Sequence, residues 1–164
     1  MNKALFLDRD GVININHGHV HTIKQFDFID GIFDLCKLAK DNGFMIIIVT
    51  NQAGIGKGYY TEEQFHILNQ WMLDEFKLHS IVIDKVYYCP HKPEDNCECR
   101  KPNPGMIFKA ISEYDIDVNQ SILIGDKQTD MDAAVSAGIK NIYLFLDNSH
   151  ENTINHLINM KLMS

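Results

Sequence analysis

Long apolar runs are missing from this chain of 164 residues. The longest, Phe44-Met45-Ile46-Ile47-Ile48-Val49, falls far short of the ~20 residues that span a bilayer. Ala4–Leu7 is too short for the apolar core of a secretory signal, about 7–15 residues, and no lipidation motif ends the chain. A cytoplasmic protein with no membrane partner is expected. Positive charge is scarce as well. Lys and Arg number 15 against 22 Asp and Glu, a net charge of −7, and the only arginines are Arg9 and Arg100. Such a balance repels polyanions, so no nucleic-acid partner is expected, although a local cationic pocket can still take a small anion. Repeats and low-complexity tracts are absent too. What remains, 45% apolar and 23% charged, is the composition of a globular domain and excludes disorder. The length fits one domain over 1–164, expected to be a monomer.

Proline and cysteine are few and concentrated. All four prolines and three of the four cysteines lie between Cys89 and Pro104, an ordered-loop composition, because proline blocks helix interiors and central strands. Cys36 recurs at helical spacing with Ile32, Leu35 and Ala39 and reads as a buried structural thiol. Cys89-x-His91 and Cys97-x-Cys99 are different, since residues i and i+2 of an extended segment face one side. Each pair can offer two ligands to one ion, and a Cys3His set in a reduced compartment suits closed, structural Zn²⁺. A zinc loop over about 89–104 is therefore expected.

Elsewhere, short apolar runs alternate with helical patterns. Ala4–Leu7, Met45–Val49, Val82–Tyr88, Ser121–Ile124 and Asn141–Leu146 read as strands. Helices are expected over about 31–41, from the Thr61-Glu-Glu-Gln64 capping box onward, from Pro104 to about Tyr114, over about Met131–Ala137, and from about Glu151. Alternating strands and helices mean a doubly wound, Rossmann-like α/β fold whose parallel sheet opens a crevice at its carboxyl edge. Asp8-Arg9-Asp10, Thr50-Asn51-Gln52 and Gly125-Asp126 all fall at that edge. Crowded carboxylates repel one another and call for a cation, and hard oxygen ligands suit Mg²⁺. His66, His79, His150 and His156 read as solvated or partly buried surface residues.

In order, Asp8-x-Asp10, Thr50, Lys101 and Gly125-Asp126-x-x-x-Asp130 resemble the four motifs of the haloacid dehalogenase superfamily of phosphohydrolases, over residues 4 to about 138. No insertion is long enough for a cap domain, so the resemblance is to a capless member. It implies Asp8 as nucleophile, Asp10 as general acid and base, and Mg²⁺ held by Asp8, the Asp10 carbonyl and Asp126. Thr50 and Lys101 would donate to phosphoryl oxygens. Asp130 would orient Lys101 or a water on the metal, or cap its helix.

Two groups of the superfamily carry such a cysteine loop, the heptose bisphosphate phosphatases and the histidinol phosphatases. Asn16-His-Gly-His-Val-His21, Thr50-Asn-Gln-Ala-Gly-Ile-Gly56, Arg100-Lys-Pro-Asn-Pro-Gly-Met106 and Gly125-Asp-Lys127 favour the first. That match implies a phosphoric monoester hydrolase of heptose and lipopolysaccharide biosynthesis. It would remove the 7-phosphate of a heptose 1,7-bisphosphate, with histidinol phosphate as the alternative substrate. The substrate pocket would hold Asn16, His17, Gly18, His19, Thr50, Asn51, Gln52, Ala53, Arg100, Lys101 and Lys127. Arg100, with its planar fork, suits a second phosphate. His19 and Ala53 depart from the group's usual tyrosine and serine. An idle zinc-stapled binding module and a polynucleotide phosphatase are the other readings. Filled catalytic positions count against the first, and the acidic balance counts against the second.

Overall fold

Alternation along the strands decides which side chains go to which face of the sheet. In the computed structural model, which describes residues 1–164, β1 (Ala4–Leu7) lies at the centre of a five-stranded parallel sheet. Around it stand β2 (Met45–Asn51), β3 (Lys85–Cys89), β4 (Ile122–Gly125) and β5 (Asn141–Leu144), in the order β3-β2-β1-β4-β5. Leu5, Leu7, Ile46 and Ile48 point to one face, where α1 (Ile32–Asp41), α3 (Glu62–Leu78) and α6 (Glu151–Asn159) cover them. Ala4, Phe6, Ile47 and Val49 point to the other, under α4 (Gly105–Tyr114) and α5 (Gln128–Ser136). Burial on both faces is why these strands read as unbroken apolar runs. The doubly wound fold is the one expected from the sequence. No helix is long and apolar enough to cross a membrane.

Several boundaries move for identifiable reasons. β3 begins at Lys85 rather than Val82, because Asp84 pairs with Lys40 and accepts the Ile46 amide at 2.8 Å. Val82 itself is exposed. α5 begins at Gln128 rather than Met131, because Asp130 Oδ2 accepts the amides of Asp126 and Lys127, both at 3.1 Å, and caps the first turn. A short helix, α2 (Ala53–Gly56), was not expected at all. His150 is the clear correction. It is fully buried, stacked on Phe145 at 4.1 Å, with Nε2 2.7 Å from the Val12 carbonyl and Nδ1 3.1 Å from Thr153 Oγ1. It ties α6 to the loop after β1.

Candidate active site

β1 ends in Asp8, and the next residues turn back sharply over the sheet edge. Gly11 makes that turn at φ +94°, and a Cβ there would lie 2.0 Å from Asp126 Oδ2. Only glycine allows the two loops this close. The approach brings one ligand oxygen each of Asp8, Asp126 and Asp130 within 4.8 Å of one another.

Lys101 reaches into the same floor. Its buried ammonium donates to Asp8 Oδ1 at 3.0 Å and to the Val49 carbonyl at 2.8 Å, and pairs with Asp130 Oδ1 at 2.6 Å. Three carboxylates and one ammonium leave two negative charges. Burial drives the Asp8 carboxyl well above the ordinary carboxylate range, against the pull of Lys101, and burial also raises Asp126. Burial works against the Lys101 charge, yet Asp8 and Asp130 raise its pKa overall. Asp126 Oδ1 is buried with no hydrogen-bond partner. A divalent cation answers the surplus charge and the orphaned oxygen together, so these residues fit the expected metal.

The expected metal set uses only the backbone carbonyl of Asp10, and the side chain is engaged elsewhere. Asp10 turns its carboxylate away from the cluster. Its Oδ1 accepts from Arg9 Nη2 at 2.9 Å and Asn14 Nδ2 at 3.0 Å, and its Oδ2 accepts from Gln52 Nε2 at 3.1 Å. Asp130 combines two of the roles left open for it, holding Lys101 with one oxygen and capping α5 with the other.

Above this floor lies a cleft of about 370 Å³. The loop after β1 supplies Asn16, Gly18 and His19 to its wall. The β2 edge supplies Asn51, Gln52 and Ala53, and the later loops supply Arg100, Lys101 and Lys127. Two expected residues are not on the wall. His17 faces away, its Nε2 2.8 Å from Asp27, and Thr50 is fully buried beneath Gln52. Asn51 spends its amide on the Lys101 backbone, accepting its N–H at 3.0 Å and donating to its carbonyl at 3.2 Å. It staples the cysteine loop to β2. Arg100 Nη1 is buried and unpartnered, a spare donor on the cleft wall. Lys57, Tyr60 and Thr129 were missed. The run of glycines at 54, 56 and 58 was the available signal that the chain there passes close to something.

Beside the cleft, ligand atoms of Cys89, His91, Cys97 and Cys99 also lie within 4.8 Å of one another. Cys89 Sγ is 3.4 Å from both Cys97 Sγ and His91 Nδ1, and Cys99 Sγ is 3.2 Å from His91 Nδ1. Burial raises the Cys97 thiol, but the Arg100 amide and the neighbouring thiols outweigh it and bring Cys97 down to about 7. Burial holds the Cys89 and Cys99 thiols above the ordinary value, so a metal bound here would displace their protons. Three sulfurs and one imidazole this close form a tetrahedral donor set that fits one.

A family model described as HAD-hydrolase-like matches residues 98–156. The chain is 47% identical over 146 residues to D-glycero-beta-D-manno-heptose-1,7-bisphosphate 7-phosphatase of Haemophilus influenzae, covering 85% of this chain and 79% of that one. It is 48% identical over 149 residues to the D-glycero-alpha-D-manno-heptose enzyme of Campylobacter jejuni, covering 91% and 86%. A solved D,D-heptose 1,7-bisphosphate phosphatase from B. bronchiseptica, complexed with magnesium and phosphate, superposes with a TM-score of 0.83 at 27% identity. It covers 94% of this chain and 86% of that one.

Proposed function

The chain belongs to the heptose-1,7-bisphosphate 7-phosphatase family of the haloacid dehalogenase superfamily, and from that membership we propose that it hydrolyses the 7-phosphate of a D-glycero-D-manno-heptose 1,7-bisphosphate. It is a phosphoric monoester hydrolase. The observation that carries the assignment is the buried Asp8–Lys101–Asp130–Asp126 floor, carrying two surplus negative charges, under a cleft whose wall offers an unspent arginine donor.

Asp8 attacks phosphorus in line with the bond to the sugar oxygen, and that bond breaks as the Asp8–phosphorus bond forms. Asp10 gives its proton to the departing alkoxide. The resulting carboxylate then takes a proton from the water that attacks the aspartyl-phosphate, which frees Asp8 and inorganic phosphate. Arg9, Asn14 and Gln52 hold Asp10 in place for both transfers. Lys101, already fixed on Asp8, and Thr50 from beneath donate to the phosphoryl oxygens. Mg²⁺, held by Asp8, the Asp10 carbonyl and Asp126, would supply positive charge that lets an anionic nucleophile approach an anionic phosphate. Arg100 and Lys127 on the wall bind the second phosphate. Zn²⁺ at Cys89, His91, Cys97 and Cys99 would set the path of the loop that delivers Arg100 and Lys101. We take the protein to act as a cytoplasmic monomer.

The test is a side-by-side assay of the heptose bisphosphate and histidinol phosphate. A kcat/KM higher by about 100-fold for the bisphosphate is expected, the worth of a charged hydrogen bond to the second phosphate. Equal or reversed values would overturn the substrate assignment.

A further inference from the structure

Tyr60 touches neither the acidic floor nor the cysteine loop, yet it is buried to 5% exposure at the edge of the cleft. Its ring stacks on His21 with centroids 5.0 Å apart and 1° between planes. A side chain at Gly54 would place its Cβ 2.2 Å from Tyr60 Cε1, so the seat for the ring depends on that glycine. From this seat the hydroxyl donates to Gln52 Oε1. Gln52, itself 2% exposed, donates from Nε2 to Asp10 Oδ2 at 3.1 Å and to Thr50 Oγ1 at 2.9 Å.

We infer that Tyr60 is a positioning residue for phosphoryl transfer, locking the Gln52 amide so that its N–H groups face Asp10 and Thr50. The inference rests on the proposed roles of those two residues. A primary amide can present either end to its neighbours. The Thr50 hydroxyl accepts either, and Asp10 rejects the oxygen end only while ionised, not when it carries the proton it is to donate. A donor on the far side does decide. With the carbonyl held by Tyr60 O–H, both amide hydrogens must point inward. One then holds the Asp10 oxygen that carries the transferred proton. The other fills an acceptor site of Thr50, whose own proton is held only by a long 3.4 Å contact to the Asn51 carbonyl that a phosphoryl oxygen can replace. Burial keeps the phenol protonated, raised to about 12, so the donor is present throughout the working pH range. The chain of donors therefore runs one way, from Tyr60 through Gln52 to the site. A flipped amide would set its oxygen against the Asp10 carboxylate and take the Thr50 proton for itself.

Y60F separates the hydroxyl from the ring, since phenylalanine keeps the stack on His21 and fills the same space. The expected result is a kcat lower by about 5–20-fold, the worth of a buried hydrogen bond, with KM within about twofold of wild type. Q52M should lower kcat at least as far, and Y60F in the Q52M background should lower it no further. An unchanged kcat in Y60F, or additive losses in the double variant, would overturn the inference. A second readout needs no turnover. The side-chain NH2 signals of Gln52, assigned through Q52E, should be protected from exchange in wild type and exposed in Y60F, and identical protection in both would overturn the inference. If wild type releases phosphate from neither the heptose bisphosphate nor p-nitrophenyl phosphate, the functional proposal fails, and the Gln52 signals still decide this one.

Discussion

Replacing Lys101 by methionine keeps much of the side chain's length and removes one buried charge. The ammonium is 3% exposed and has three partners at 3.0 Å or less, namely Asp8, Asp130 and the Val49 carbonyl. Methionine leaves two buried carboxylates facing each other with Asp126 beside them. Breaking a buried ion pair from one side costs about 3–5 kcal/mol, because the abandoned charge keeps its desolvation penalty. For a domain of this size each kcal/mol moves Tm by about 2–4 °C, so K101M should melt about 6–20 °C below wild type in EDTA. Adding D130N to K101M removes one of the stranded charges while keeping an oxygen to cap α5, and should recover part of the loss. The pH dependence follows from the direction of the carboxyl shifts. A carboxyl raised on folding, as Asp8 and Asp126 are, contributes stability below its unfolded value and loses it as pH rises through its folded value. Without the lysine that opposes this shift, the K101M deficit should narrow as pH falls from 8 toward 5. The assay is differential scanning calorimetry of wild type, K101M and K101M/D130N. A K101M protein melting within 2 °C of wild type in EDTA would refute the reasoning.

Three further outcomes are expected. Stripping metal with a strong zinc chelator should lower Tm and abolish activity, and added Mg²⁺ alone should not restore turnover, whereas Mg²⁺ with Zn²⁺ should; elemental analysis of the purified protein reads the zinc directly. His150, whose pKa is lowered by burial, should make the fold weaken as pH drops below about 6.5, where the unfolded chain takes up a proton first. The slope is at most about 1.4 kcal/mol per pH unit, and denaturant midpoints of H150Q across pH 7.5–5.5 should lose it. R100M should lower kcat/KM for the bisphosphate by about 10–150-fold, the range for a charge-assisted hydrogen bond, and affect p-nitrophenyl phosphate far less, as steady-state kinetics would show.

How much of this was legible follows from what each residue type can signal on its own. β1, β2 and β4 announce themselves as apolar runs because both faces are covered, and their polar ends mark the crevice. The cysteine loop is equally plain, since ligand spacing is local. His150 was misread because a lone histidine in a polar stretch carries no mark of the Val12 carbonyl waiting 138 residues earlier in the chain. The four residues of α2 are too few to show a helical period. Tyr60 and Lys57 reach the cleft only through the turn that the glycines permit, so their place depends on tertiary geometry. For Asn51 and Thr50 the sequence marks the place but not the contacts. The motif marks them as important, but one holds the Lys101 backbone and the other lies under the floor.

Positional ³¹P NMR during turnover tests the whole account most directly. The signal of the 7-phosphate should vanish and that of inorganic phosphate should grow in step, while the anomeric phosphate persists, and the D8N protein should stay folded with a static spectrum. Release of the anomeric phosphate first, or continued turnover by D8N, would contradict it.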